Sequence, residues 1–155
     1  MTVAEKLVEL LKAQGLTCAT AESCTGGGVG SAITAVPGSS AVFAGGVISY
    51  SNDVKAGVLG VSREDLARVG AVSAEVAAQM AEGVRRLLKV DLAVSLTGIA
   101  GPDGGSAEKP VGLVWFGLAT ADGVRTEKAI FRGDRARVRE QAVTHALGML
   151  TVGAL

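Results

Sequence analysis

The 155-residue sequence predicts an α/β protein, a three-layer α/β/α sandwich around a mixed, mostly parallel central sheet. Three observations carry that expectation. Amphipathic helical patterns alternate with short apolar runs of strand type along the whole chain. One hairpin signal, Ala121-Asp122-Gly123, stands among connections that otherwise read as crossovers. Hydrophobic residues make up 48% and charged residues 19%, a composition that builds a core and is far from disorder. With no linker, repeat or low-complexity segment, residues 1–155 read as a single domain.

Taken in order, Thr2 to Gly15 reads as a helix. Thr2 followed by Glu5 is a capping box, Val3, Leu7, Val8, Leu10 and Leu11 form an apolar stripe, and Gly15 suits the position after the last turn. Residues 16–22 read as a buried strand. The Thr25–Gly28 turn then opens a short helix to about Val36, which Pro37-Gly38-Ser39-Ser40 breaks. Residues 42–51 form a second strand. Asn52 or Asp53 caps a short helix that carries Lys55 and closes at Gly60. Ser62 with Asp65 starts another helix. Ser73 caps a longer one to about Lys89, with Val76, Met80, Val84, Leu87 and Leu88 inward. Residues 91–97 read as a strand buried on both faces, followed by a glycine-rich loop from Gly98 to Pro110. Residues 111–120 and 124–132 are two hairpin strands. Asp134 caps a last helix to about Leu150.

Bulk properties narrow the function classes. The formal net charge is zero, so no electrostatic footprint for nucleic acid or a membrane surface is present. The apolar runs stop well short of the ~20 residues of a membrane span. Met1-Thr2-Val3-Ala4-Glu5 lacks the basic and apolar regions of a signal peptide, and two cysteines make no disulfide framework, so a reducing cytoplasm is expected. His145 is the only histidine, and with Cys18 and Cys24 it makes no zinc set unless carboxylates join. A mean hydropathy of +0.41 fits surface buried in a homo-oligomer. The 22 glycines cluster at 26–30, 98–105 and 112–123, which marks loops that touch a ligand.

Four constellations carry chemistry. Ala21-Glu22-Ser23-Cys24-Thr25-Gly26-Gly27 delivers Ser23 from a strand end to a glycine-rich turn that enters a helix. Such a turn suits a hydrolase nucleophile with oxyanion donors, and equally a nucleotide-cradling loop with Ser23 as a cap. In Tyr50-Ser51-Asn52-Asp53-Val54-Lys55 the lysine falls in the first helical turn, where the helix field and burial depress its pKa. A neutral lysine is a general base toward serine, whereas an exposed surface lysine is the plainer reading. Thr97-Gly98-Ile99-Ala100-Gly101-Pro102-Asp103 leaves a strand where ligands of open sheets bind, or is a long loop without a ligand. Arg135 and Arg139 share one helix face and suit a phosphate, or form a solvated basic turn. Cys18, His145, Trp115 and Phe116 read as packing residues. Cys24 is a rival nucleophile with no histidine near it in sequence.

These motifs, together with Gly104-Gly105, Lys109-Pro110-Val111-Gly112 and Gly133-Asp134-Arg135 in this order, resemble the CinA C-terminal-domain family over nearly the whole chain. The resemblance implies an amidohydrolase that turns nicotinamide mononucleotide (NMN) into nicotinate mononucleotide and ammonia through a serine–lysine dyad. Carried over, the dyad is Ser23 and Lys55, with Tyr50 as the active-site tyrosine that supports the lysine by a hydrogen bond. Backbone amides of Thr25, Gly26 and Gly27 are expected to hold the oxyanion. Thr97, Gly98, Ala100 and Gly101 are expected on the substrate, and Arg135 or Arg139 on its phosphate. No metal and no cofactor is called for. The family's longer members add an N-terminal domain, expected to be absent here because the serine motif begins at residue 21. A nucleotide-binding module without chemistry is the alternative, and an amidase for another small amide a third reading.

Overall fold

The computed structural model describes residues 1–155. Helix α1 (Val3–Gln14) starts at Thr2, whose hydroxyl accepts the Glu5 N–H, and ends at Gly15 in the left-handed region with φ 69°. Strand β1 (Cys18–Glu22) leads into helix α2 (Gly28–Thr34). The breaker after it forms a single 3-10 turn, Ser39–Ala41, before strand β2 (Phe43–Ile48). Helix α3 (Asn52–Leu59) is capped by Ser51, whose hydroxyl accepts the Val54 N–H, so the cap lies one residue earlier than the Asn52 or Asp53 expected. Helices α4 (Arg63–Val69) and α5 (Ala74–Leu88) have the caps Ser62 and Ser73 that the sequence predicts. Strands β3 (Leu92–Gly98), β4 (Leu113–Thr120) and β5 (Gly123–Ile130) precede helix α6 (Arg135–Gly153), capped by Asp134. No helix is long and apolar enough to cross a membrane.

The sheet order is β2-β1-β3-β4-β5. β1 pairs in parallel with β2 and β3, while β4 is antiparallel to both β3 and β5. Four strands therefore point the same way and only β4 is reversed. The chain leaves β1 through α2 on one face and β2 through α3 on the other. That switch opens a crevice beyond the carboxyl ends of β1 and β2, where open α/β sheets bind ligands.

Strand alternation sorts the core onto the two faces. Cys18, Val94, Leu96, Val114 and Phe116 meet Leu7, Leu11, Val29, Ile33, Ala142 and Leu150 of α1, α2 and α6. Ala19, Ala21 and Ala93 meet Val76, Met80 and Val84 of α5, with Leu59 at the end of α3. The second face is built from small residues, so α5 lies close to the sheet. Leu87, expected inward, is 49% exposed, and the neighbouring Leu88 packs against this core in its place.

Gly83 of α5 faces the last turn of α3, and a Cβ there would collide with the main-chain carbonyl of Leu59. A backbone oxygen cannot rotate away as a side chain can. Gly83→Ala is expected to lower unfolding stability by about 1–3 kcal/mol. Urea denaturation of both proteins checks this through the shift in midpoint.

Candidate active site

β1 ends at Glu22, and Ser23 continues it by one residue, its N–H donating to Leu96 O at 3.1 Å. Glu22 is in register with Leu96 on β3 and with Ile48 on β2. One step further, Ser23 therefore stands between Ser49 and Thr97. By alternation all three face the α3–α5 side, above Ala21 and Ser95. Tight turns follow here: Gly26 and Gly27 have φ 59° and 100°, conformations that glycine adopts without Cβ strain.

Lys55 comes from the first turn of α3 and is 2% exposed. Its Nζ lies 3.1 Å from Ser23 Oγ and donates to the carbonyls of Ser49 at 2.8 Å and Tyr50 at 3.0 Å. No carboxylate pairs with it in any of the chain's ion pairs. Burial holds Lys55 below the ordinary lysine range, with a smaller opposing effect from the Cys24 sulfur. The two carbonyls can only accept. A neutral amine has two N–H groups, and both are engaged by these carbonyls. In that state the lone pair faces the third neighbour, Ser23 Oγ; as an ammonium the same nitrogen donates to all three oxygens.

Two side chains hold the turn that carries Ser23. The buried Glu22 carboxylate accepts from Thr25 Oγ1 at 2.7 Å, Val29 N at 2.9 Å, Gly30 N at 3.0 Å and Thr20 Oγ1 at 3.3 Å. It caps α2 from seven residues upstream, where Gly27 offers no side chain for the task. From the other flank Arg139 donates through Nε to Cys24 O at 3.0 Å and through Nη2 to Thr25 O at 3.2 Å. In a trans peptide the next N–H points opposite to the gripped carbonyl. The N–H groups of Cys24, Thr25 and Gly27 have no acceptor within the chain, whereas Gly26 N–H is bound to Ser23 O. Of the amides expected to serve as oxyanion donors, Gly26 is thus committed to Ser23 O, while Thr25 and Gly27 are free, as is Cys24. Arg139→Met is expected to reduce activity about 10–100-fold by freeing these peptides to rotate. Steady-state kinetics beside a thermal melt check that the loss is not one of folding.

A cleft of about 200 Å³ opens over Ser23 and Lys55, lined by these two with Cys24, Tyr50, Asn52, Ala71, Val72, Thr97, Gly98, Ala100 and Arg135. Of the expected residues, Thr25, Gly26, Gly27, Gly101 and Arg139 do not line it. Gly101 instead offers its carbonyl to Arg135 Nη1 at 2.9 Å, and Arg139 is committed to the turn after Ser23 rather than to a phosphate. Tyr50 lines the cleft and is 63% exposed, and its carbonyl, not its hydroxyl, meets Lys55. Thr97 is buried, and its hydroxyl donates to Ala71 O at 3.0 Å. Cys24 is no thiolate, because burial pushes its thiol up to about 11. Asn52, Ala71 and Val72 were not among the expected site residues. Ala71 and Val72 carry no functional group that a sequence reading would single out.

Of the residues read as packing, Trp115 is half-buried outside the core with Lys128 Nζ 5.5 Å from its ring centre, and the other three pack. Cys18 and Phe116 are buried, and the His145 ring lies 4.3 Å from that of Phe116 with Nε2 2.8 Å from Glu127 Oε2. A larger hollow near the β4–β5 turn, lined by Arg85, Arg86 and Lys89, lies at the opposite end of the strands and holds no nucleophile.

A family model described as the CinA C-terminal domain matches residues 1–152. The "Nicotinamide-nucleotide amidohydrolase PncC" of Escherichia coli (strain K12) is 52% identical over 151 residues, 97% of this chain and 92% of that protein. A "Putative competence-damage inducible protein" of Halothermothrix orenii is 56% identical over 136 residues, 87% of this chain but 33% of that relative. The chain thus spans a third of one group of curated relatives and nearly all of another. Among solved structures, the competence/damage inducible protein CihA from Agrobacterium tumefaciens superposes with a TM-score of 0.94 at 42% identity, covering 98% of this chain and 93% of that one. A CinA superfamily protein from Klebsiella pneumoniae gives 0.94 at 35% identity, covering 98% and 95%.

Proposed function

Since the chain belongs to the CinA C-terminal-domain family, we propose that it is an amidohydrolase that converts NMN to nicotinate mononucleotide and ammonia, with Ser23 as nucleophile and Lys55 as base. The observation that carries this reading is the setting of Lys55: buried, without a carboxylate, held by two carbonyls, and with Nζ 3.1 Å from Ser23 Oγ, so that a neutral amine there turns its lone pair to the serine.

Lys55 takes the Ser23 proton as Oγ attacks the carboxamide carbon. The carbonyl π electrons move to oxygen, and the free N–H of Cys24, which lines the cleft beside Ser23, is an unclaimed donor for it. One such donor is worth about 3–4 kcal/mol in the transition state. Protonated Lys55 then gives its proton to the amide nitrogen, the C–N bond breaks, and ammonia leaves. Water, deprotonated by the same amine, attacks the ester, and Ser23 recovers its proton from Lys55. The net change is amide plus water to acid plus ammonia. A cleft of about 200 Å³ is smaller than the ~300–1,000 Å³ of pockets that enclose a drug-sized ligand. It suits the ring and carboxamide, with ribose and phosphate crossing the rim toward Arg135.

The experiment is ammonia release from NMN by the purified protein, with nicotinate mononucleotide followed by chromatography. Equimolar appearance of both supports the proposal. A folded protein that binds NMN and releases neither would leave a binding module, and one that cleaves other small amides in preference would move the substrate.

A further inference from the structure

We propose that Thr97 is the residue by which this cleft distinguishes a primary carboxamide from a carboxylate, and so substrate from product; this rests on the amidohydrolase reading above. The neighbours of Thr97 dictate where its hydroxyl hydrogen lies. Thr97 Oγ1 lies 3.0 Å from the main-chain oxygen of Ala71. A carbonyl has no proton to give, so the single hydroxyl hydrogen of Thr97 lies on that line. What Thr97 has left is lone pairs only. The residue is 1% exposed and lines the same cleft as Ser23 and Lys55, so water does not freely satisfy those lone pairs.

Its place relative to the nucleophile follows from the register. Glu22 pairs with Leu96, and Ser23 N–H donates to Leu96 O, so Thr97 is the lateral neighbour of Ser23 on β3, about 4.8 Å away between strands. Both side chains rise from the same face of the sheet. A planar group whose carbon is attacked by Ser23 Oγ has one of its two heteroatoms on the β3 side. If that atom is an amide nitrogen, its N–H donates to Thr97. If it is a carboxylate oxygen, two acceptors face each other and neither has a proton. A site built to accept an N–H rejects the isostere that lacks it, because the buried acceptor is left unpaired. The same contact orients the carboxamide, placing nitrogen toward Thr97 and oxygen toward the free amides of the Ser23 turn.

The test is binding of the amide–acid pair, NMN and nicotinate mononucleotide, by titration calorimetry at one fixed pH. Ser23→Ala serves as an inert background, compared with Ser23→Ala combined with Thr97→Val and with Thr97→Ser. Lys55 is present throughout, so its charge cancels from the comparison. The expected result is amide preference in the Ser23→Ala protein, reduced about tenfold by Thr97→Val and restored by Thr97→Ser, which keeps the hydroxyl. Equal weakening of both ligands by Thr97→Val would give Thr97 a structural role through Ala71 and overturn the proposal. An unchanged ratio, or no binding of either ligand, overturns it as well. Because binding is read without turnover, a wild-type protein that releases no ammonia defeats the amidohydrolase reading separately from this ratio.

Discussion

Lys55→Met leaves a folded protein whose amidase rate is expected about 10⁴-fold below the wild type. Methionine is unbranched and of similar length, so it fills the space beneath Ser23, but it has no lone pair basic enough to take the serine proton. In the wild type the rate is expected to fall as pH falls, because acid protonates Lys55 and removes the base. Burial sets the midpoint of that fall below the ordinary lysine value of 10.5. Stability responds with the opposite ionisation cost. Between the lowered value in the folded chain and 10.5 in the unfolded chain, the unfolded chain holds a proton that the folded chain has released. Unfolding free energy therefore gains a positive slope with pH across that window. Lys55→Met removes the group and with it the slope, so the stability of the wild type relative to the variant grows from the lowered folded value toward 10.5. Urea unfolding of both proteins at several pH values measures it. A difference that shrinks with rising pH would mean that Lys55 is held charged, and the base assignment would fail.

Ser23→Ala is expected to cost about 10⁴–10⁶-fold in rate with little change in stability. The side chain's single polar contact is with Lys55, which keeps both carbonyl partners when the hydroxyl is gone. Cys24 next door does not rescue the variant, since its thiol titrates near about 11. Mass spectrometry of the wild type quenched during turnover should find an acyl group on the peptide that contains Ser23, and none on the same peptide of Ser23→Ala. An adduct on Cys24 in either protein would reassign the nucleophile.

Much of this was legible in the residues alone because it rests on local rules. Thr2, Ser62, Ser73 and Asp134 are caps that announce themselves before apolar periodic runs, and Gly15 closes α1 as a left-handed residue. The pairing of Ser23 with Lys55 was legible only through the family resemblance, and the chain returns the lysine to the serine 32 positions later. What was not legible depends on distant partners. Arg139 looks like an anion ligand beside Arg135, and only the docking of α6 commits it to Cys24 and Thr25. Glu22 looks like the end of a strand, and only the path of the turn brings its carboxylate to the amides of Val29 and Gly30. Tyr50 was assigned through its side chain, whereas the backbone does the work, and no residue type encodes a carbonyl. Ser51 outcompeted Asn52 and Asp53 as the α3 cap, all three being good cap formers side by side.

The grip of Arg139 on the nucleophile turn also sets an order of events during synthesis. Arg139 follows Cys24 by 115 residues. Every strand of the sheet emerges from the ribosome before it does, so a nascent chain can hold a nearly finished sheet while Ser23 sits in a turn fixed from one side only. The site is completed by one of the last elements translated. Prematurely terminated chains that have lost α6 would thus lack a competent nucleophile, and a partly made protein does not begin hydrolysing its substrate.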